Sequence, residues 1–327
     1  MMLSAQRNLP RRFRPLPLLR NPHLQTVFGF LWRGPRFHHP TRQVQVNLPD
    51  GDRLVLHDSV PDDWADGRPA ALLIHGMGGN SNSAYVQRVG ARLYGRGARV
   101  VRIDLRGTGA GFGLAEKFYH GGRSEDIRAA LGAMHEWAPQ SPLLLAGFSL
   151  GGNIALKLAG EAADEPVRNL KRVVAVAPPI DVVRCSELIS QQHNRFYDRF
   201  FARQLVRLAR LRQTRYPDPP LPDFPRRLSI REFDNLFTAP HCGFADALDY
   251  YRRSSSLPYI ARIEVPTLIV TARDDPFIAV GPFEELRPPA HVEIEIHDHG
   301  GHLGFLGDDG EGGVRWLERR VVEWLLR

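Results

Sequence analysis

Hydrophobic and polar positions alternate at the start of the 327-residue chain and then give way to a different rhythm. Residues 43–48 alternate polar and apolar, and residues 53–57 do so again. Pro49-Asp50-Gly51-Asp52 between them has turn chemistry, so the pair predicts a β-hairpin. From Ala70 onward, short runs rich in Leu, Ile and Val read as strands over 70–74, 99–103, 143–146, 172–176, 267–270 and 292–296. Helical periodicity fills intervals at 84–94, at 124–137 with Ser124 as N-cap, and after Ser149. It returns at 314–326, where Trp316, Leu317, Val321, Trp324 and Leu325 share one side. Apolar strands alternating with amphipathic helices predict an α/β fold, with a mostly parallel central sheet covered on both faces. The hairpin belongs at one edge.

One segment breaks the alternation. Residues 181–256 carry no strand pattern: 196–210 reads as a helix dense in Arg and Phe, 216–225 as a proline-rich loop, and 233–253 as helical in parts. A long helical insertion on the side where the sheet presents its site is expected to form a lid. The domain organisation expected is therefore an N-terminal arm over 1–40, an α/β core over 41–180 and 257–327, and the lid insertion over 181–256. In the arm, 21–32 predicts a short amphipathic helix; His23 reads as a packed or capping residue and His38-His39 as a solvated pair.

Composition narrows the class. The only cysteines, Cys185 and Cys242, are far apart, which argues against a disulfide framework and fits a reducing compartment. No apolar run reaches bilayer-spanning length, and Leu16-Pro17-Leu18-Leu19 is too short and proline-broken for a secretory segment. A cytoplasmic protein is expected. The net charge of +7 comes chiefly from arginine and permits attraction to an anionic membrane surface. Nucleic acid is not an expected partner, because no zinc-finger, RNP or helix-turn-helix pattern accompanies the charge.

The chemistry centres on Gly-Phe-Ser-Leu-Gly (147–151), set between a strand and a helix. In that context the turn lifts the Ser149 hydroxyl above the sheet edge, and the helix N-terminus favours developing negative charge. A serine hydroxyl is a weak nucleophile at neutral pH and needs a base and an orienting acid. These should follow in the order Asp, His at the carboxyl ends of later strands. Asp275 fits the acid, three residues after Ala272 and stiffened by Pro276, with Asp274 left to hold the turn. His302 fits the base, after the flexible Gly300-Gly301, while His297 and His299 read as packing residues. The oxyanion donors expected are the amides of Leu150 and of Met77, in the glycine-rich loop 75–80. His75, Gly76, Phe148, Phe196 and Phe200 complete the candidate substrate-binding set, although the His75 ring equally suits a structural hydrogen-bonding role. Asp104 and Arg106 read as a structural pair, in a loop without phosphate-binding spacing. The chemistry requires no cofactor and no metal.

Gly-Phe-Ser-Leu-Gly-Gly-Asn (147–153), His-Gly-Met-Gly-Gly (75–79), Ala-Arg-Asp-Asp-Pro-Phe (272–277) and Gly-Gly-His-Leu-Gly-Phe (300–305) together resemble the α/β-hydrolase superfamily. Asn-Pro-His-Leu-Gln-Thr (21–26) and Phe-Asp-Asn-Leu-Phe-Thr-Ala-Pro (233–240) are more specific to its YheT-like branch, to which eukaryotic abhydrolase-domain lipid esterases are related. The resemblance implies Ser149, Asp275 and His302 as the triad, and carboxylesterase, lipase or alcohol acyltransferase activity. Gly307 stands where an acyltransferase His-x-x-x-x-Asp pattern would place its Asp, which favours water as acceptor. The function expected is therefore a serine hydrolase acting on a small-molecule ester. A ligand-binding module with little turnover, or an acyltransferase, is the alternative.

Overall fold

The computed structural model describes residues 12–32 and 37–327. Eight strands form one sheet: β1 (Arg42–Asn47), β2 (Arg53–Ser59), β3 (Ala70–Ile74), β4 (Arg99–Asp104), β5 (Leu143–Phe148), β6 (Leu170–Val176), β7 (Thr267–Ala272) and β8 (Val292–His297). Their order is β1-β2-β4-β3-β5-β6-β7-β8. β1 pairs with β2, and β2 with β4, antiparallel; every later pairing is parallel. Strands β3, β4 and β5 are buried along their whole length, which is why their sequences do not alternate. Edge strand β1 is mostly exposed and does.

Around the sheet lie α1 (Pro22–Leu31), α2 (Ala84–Tyr94), α3 (Ser124–Trp137) and α4 (Leu150–Glu161). The β6-to-β7 connection carries α5 (Val182–Ile189), α6 (Arg195–Gln213), α7 (Ile230–Phe233), α8 (Ala239–Cys242) and α9 (Ala247–Ser254). The chain finishes with α10 (Gly281–Glu285) and α11 (Trp316–Leu325). The expected α/β architecture and edge hairpin are both present. Ser124 is not the N-cap of α3: Arg123 occupies that position, and the Ser124 hydroxyl instead accepts a hydrogen bond from Lys157 Nζ at 3.1 Å.

The remaining motifs become structural contacts. Asp104 and Arg106 do not pair with each other. Asp104 bonds His57 Nε2 at 2.8 Å, whereas Arg106 is buried among Asp50, Asp52 and Asp126. His39 is not simply solvated, since its ring stacks on Tyr94 with centroids 3.8 Å apart. In the 233–240 motif, a π-helical turn over Asp234–Thr238 buries the Asp234 carboxyl, which accepts from Thr238 Oγ1 at 2.6 Å and Tyr251 OH at 2.8 Å. Asn235 Oδ1 accepts the amide of Ala247, the first residue of α9. The motif thus ties the helical connection together. The N-terminal segment is also part of the core, because buried Phe13 packs on Phe305 and Trp316.

Candidate active site

Four loops at the carboxyl ends of β3, β5, β7 and β8 converge on Ser149. The turn after β5 holds Ser149 at φ 52°, a left-handed conformation that a non-glycine residue adopts only under constraint. The constraint is steric: a Cβ at Gly147 would sit 2.1 Å from Gly151 O, and one at Gly151 would sit 2.5 Å from His75 O. Glycine at both places lets the strand, the turn and α4 close on one another. Asn153, one turn into α4, then bonds the carbonyls of Gly121 and Ser254 and the amide of Ser256, locking the helix in place.

His302 Nε2 lies 3.0 Å from Ser149 Oγ, and its Nδ1 lies 2.9 Å from Asp275 Oδ2. The other oxygen of Asp275 accepts the amides of Phe277 at 2.8 Å and Ile278 at 3.1 Å, so the buried carboxylate is oriented before it meets the imidazole. Neighbouring Asp274 does a different job. It accepts Gly301 N–H at 2.9 Å and faces His299 Nδ1 at 3.3 Å, while burial raises its pKa. The structure therefore brings Ser149, Asp275 and His302 together and uses Asp274 to hold the histidine loop.

Next to Ser149, the loop after β3 presents backbone donors. The amide of Gly76 is taken by Tyr85 OH at 2.8 Å and that of Gly78 by Tyr119 OH at 2.9 Å. Between them, the Met77 amide has no acceptor among the described residues, and neither has the Leu150 amide at the start of α4. Two free donors beside a nucleophile form a cradle for an oxyanion. The holding role of Tyr85 and Tyr119 had no signal in the sequence, since each lies in a separate segment.

Four of the five expected substrate contacts are displaced. His75 is fully buried: Nδ1 donates to Gly76 O at 2.8 Å and Nε2 accepts Leu105 N–H at 3.3 Å. Burial lowers its pKa, and the buried ring braces the loop after β3. Phe148 is also fully buried, packing on Tyr85 beneath the turn. Phe196 is 73% exposed and Phe200 39%, on the outward stripe of α6. One residue further round, Tyr197 and Phe201 are the side chains that face inward, edge-on to Phe277, whose ring lies 4.7 Å from that of His302. Gly76 keeps its place beside Ser149, where an added Cβ would stand 3.1 Å from the serine Cβ.

The 21–26 motif supplies what the triad pattern alone leaves out. Asn21 caps α1, and His23 Nδ1 meets Tyr197 OH at 3.1 Å. Gln25, fully buried, donates to Leu19 O and Leu306 O and accepts Leu306 N–H. Thr26 Oγ1 donates to Pro22 O at 2.8 Å and accepts the backbone N–H of His302 at 2.9 Å. Helix α1 is thus a clamp on the loop that carries His302. Among the described residues no group of three or more His, Cys, Asp or Glu side chains is arranged to hold a metal ion.

The family model for the alpha/beta hydrolase fold matches residues 69–309. The protein of Escherichia coli (strain K12) named Putative esterase YheT is 36% identical over 320 residues, covering 96% of this chain and 92% of that one. The monoacylglycerol lipase of Saccharomyces cerevisiae is 26% identical over 298 residues, covering 87% of this chain and 63% of its own. Among solved structures, the Pyrococcus furiosus esterase Pf2001 superposes with a TM-score of 0.58 at 18% identity, over 89% of this chain and 93% of that one. The nucleophile turn, the strand order and the full-length similarity agree: the chain belongs to the α/β-hydrolase superfamily, in its YheT-like family.

Proposed function

We propose that the chain hydrolyses carboxylic esters through an acyl-enzyme on Ser149. The observation that carries this reading is the continuous bond path Ser149–His302–Asp275, 3.0 and 2.9 Å per link, beside two amides without acceptors. His302 takes the Ser149 proton as Oγ attacks the ester carbonyl. The oxyanion then settles on the Met77 and Leu150 amides at the positive end of α4. His302 next gives its proton to the departing alkoxide, deprotonates a water, and the second attack frees the acid. Asp275 fixes the imidazole and stabilises the imidazolium.

The substrate class proposed is a short- to medium-chain acyl ester, lipid-like in its acyl part. Tyr197, Phe201 and Phe277 make an apolar rim beside the base, and α6, in the role of a lid, supplies two of the three. The names of the esterase and lipase relatives support the same class. The assembled triad weighs against a module without turnover. The setting proposed is the cytoplasm, consistent with two free thiols; among the described residues no helix is long and apolar enough to cross a membrane.

A fluorophosphonate probe tests the chemistry, and a chain-length series of p-nitrophenyl esters tests the substrate class. Labelling should vanish in Ser149→Ala, with kcat down by about 10⁴–10⁶-fold. Labelling that persists in that variant, or no turnover on any ester, would refute the assignment.

A further inference from the structure

Helix α6 carries an outward stripe that the proposed chemistry does not use. Phe196, Phe200, Arg203, Arg207 and Arg210 follow one another at helical spacing and are all exposed. Arg199, Arg203, Arg207 and Arg210, joined by Arg226, line a groove of about 500 Å³ with Phe224 among its apolar walls. None of these five guanidinium groups forms a salt bridge or a side-chain hydrogen bond with the described residues. The buried arginines Arg88, Arg99, Arg106 and Arg320, by contrast, each meet a carboxylate. Five like charges sharing one groove repel one another, so the arrangement favours an anionic occupant.

A second exposed surface lies on α1, the helix that touches α6. Leu18, Phe28, Leu31 and Trp32, at 88%, 42%, 62% and 50% exposure, surround an apolar hollow of about 840 Å³ on α1 and the turn before it. The two helices touch where His23 stacks on Tyr197, centroids 5.7 Å apart, and Phe196 packs against the same tyrosine. An exposed apolar ridge beside unpaired cations is the composition of an interfacial surface. A soluble anionic partner would satisfy the arginines but leave the apolar ridge in water.

We propose that the joined α1–α6 face docks on an anionic bilayer, its apolar side chains at the headgroup–acyl boundary and its arginines on lipid phosphates. The same contact reaches the triad, because Tyr197 packs on Phe277 and Phe277 on His302. A lipid-like molecule leaving the bilayer would therefore enter beside the proposed nucleophile.

Co-sedimentation with vesicles of phosphatidylcholine, with and without phosphatidylglycerol, tests this on the full chain. Binding should appear only with the anionic lipid and weaken as salt rises. Arg203→Gln with Arg207→Gln should lower the partition coefficient about 25-fold, at roughly fivefold for each charge. Phe28→Ser with Leu31→Ser should lower it at least about tenfold. Both double variants should keep wild-type turnover of p-nitrophenyl butyrate, which shows that they fold. Ser149→Ala should bind vesicles as the wild type does, separating docking from catalysis. Equal binding to neutral vesicles, full binding by either double variant, or saturation by soluble glycerol phosphate without vesicle binding would overturn the proposal.

Discussion

Thr26→Val removes one hydroxyl far along the chain from the triad and should still impair the base. The side chain keeps its shape, so α1 and its packing survive. What disappears is the acceptor for the His302 backbone N–H, at 2.9 Å, and the donor to Pro22 O, at 2.8 Å. A half-buried amide left without a partner costs about 1–3 kcal/mol, which weakens the loop conformation that places the imidazole. Gln25 and Asp274 still hold the same loop through Leu306 and Gly301, so the loop loosens without unfolding. If that cost falls entirely on the productive position of His302, kcat/KM drops by about 5- to 150-fold. The assay is steady-state hydrolysis of p-nitrophenyl butyrate, with Thr26→Ser restoring the hydroxyl and most of the rate. A Thr26→Val enzyme within about twofold of wild type, or a Thr26→Ser enzyme equally slow, would show that α1 does not position the base.

Two further outcomes follow from neighbouring carboxyls and from a buried one. Asp275→Asn should lower kcat by about 10⁴-fold through loss of the correct imidazole tautomer. Asp274→Asn, which keeps an oxygen for Gly301 N–H, should stay within about tenfold; the reverse ranking would exchange their roles. Burial raises the pKa of Asp234 to about 7, overriding the opposing hydrogen bonds from Thr238 and Tyr251. The folded state therefore holds this proton where the unfolded chain has released it, so stability falls as pH rises from about 4 to about 7 and then levels. Asp234→Asn mimics the protonated carboxyl and should flatten that part of the Tm–pH curve relative to wild type. An unchanged slope would place the titration elsewhere.

The strands, the nucleophile turn and the order of Ser149, Asp275 and His302 were legible in the residues, because each rests on short-range rules. A run of apolar residues pleats as a buried strand, and glycines at 147 and 151 are needed wherever a strand turns sharply into a helix. The Asn-Pro-His-Leu-Gln-Thr segment stood out as a pattern but had no visible task, since its partners Leu306 and His302 lie 281 and 276 positions away. The inner face of α6 was ambiguous for a different reason. Phe196 with Phe200 and Tyr197 with Phe201 are both aromatic pairs at four-residue spacing, about 100° apart around the helix. No local preference separates them. Packing against Phe277 turned the second pair toward His302 and left the first in solvent. In the same way Arg106 could have met Asp104, two residues away. The fold instead brings Asp50, Asp52 and Asp126 around the guanidinium, while Asp104 bonds His57. Local pattern suffices where the partner is a neighbour along the backbone; where several partners are chemically equivalent, the choice belongs to three-dimensional proximity.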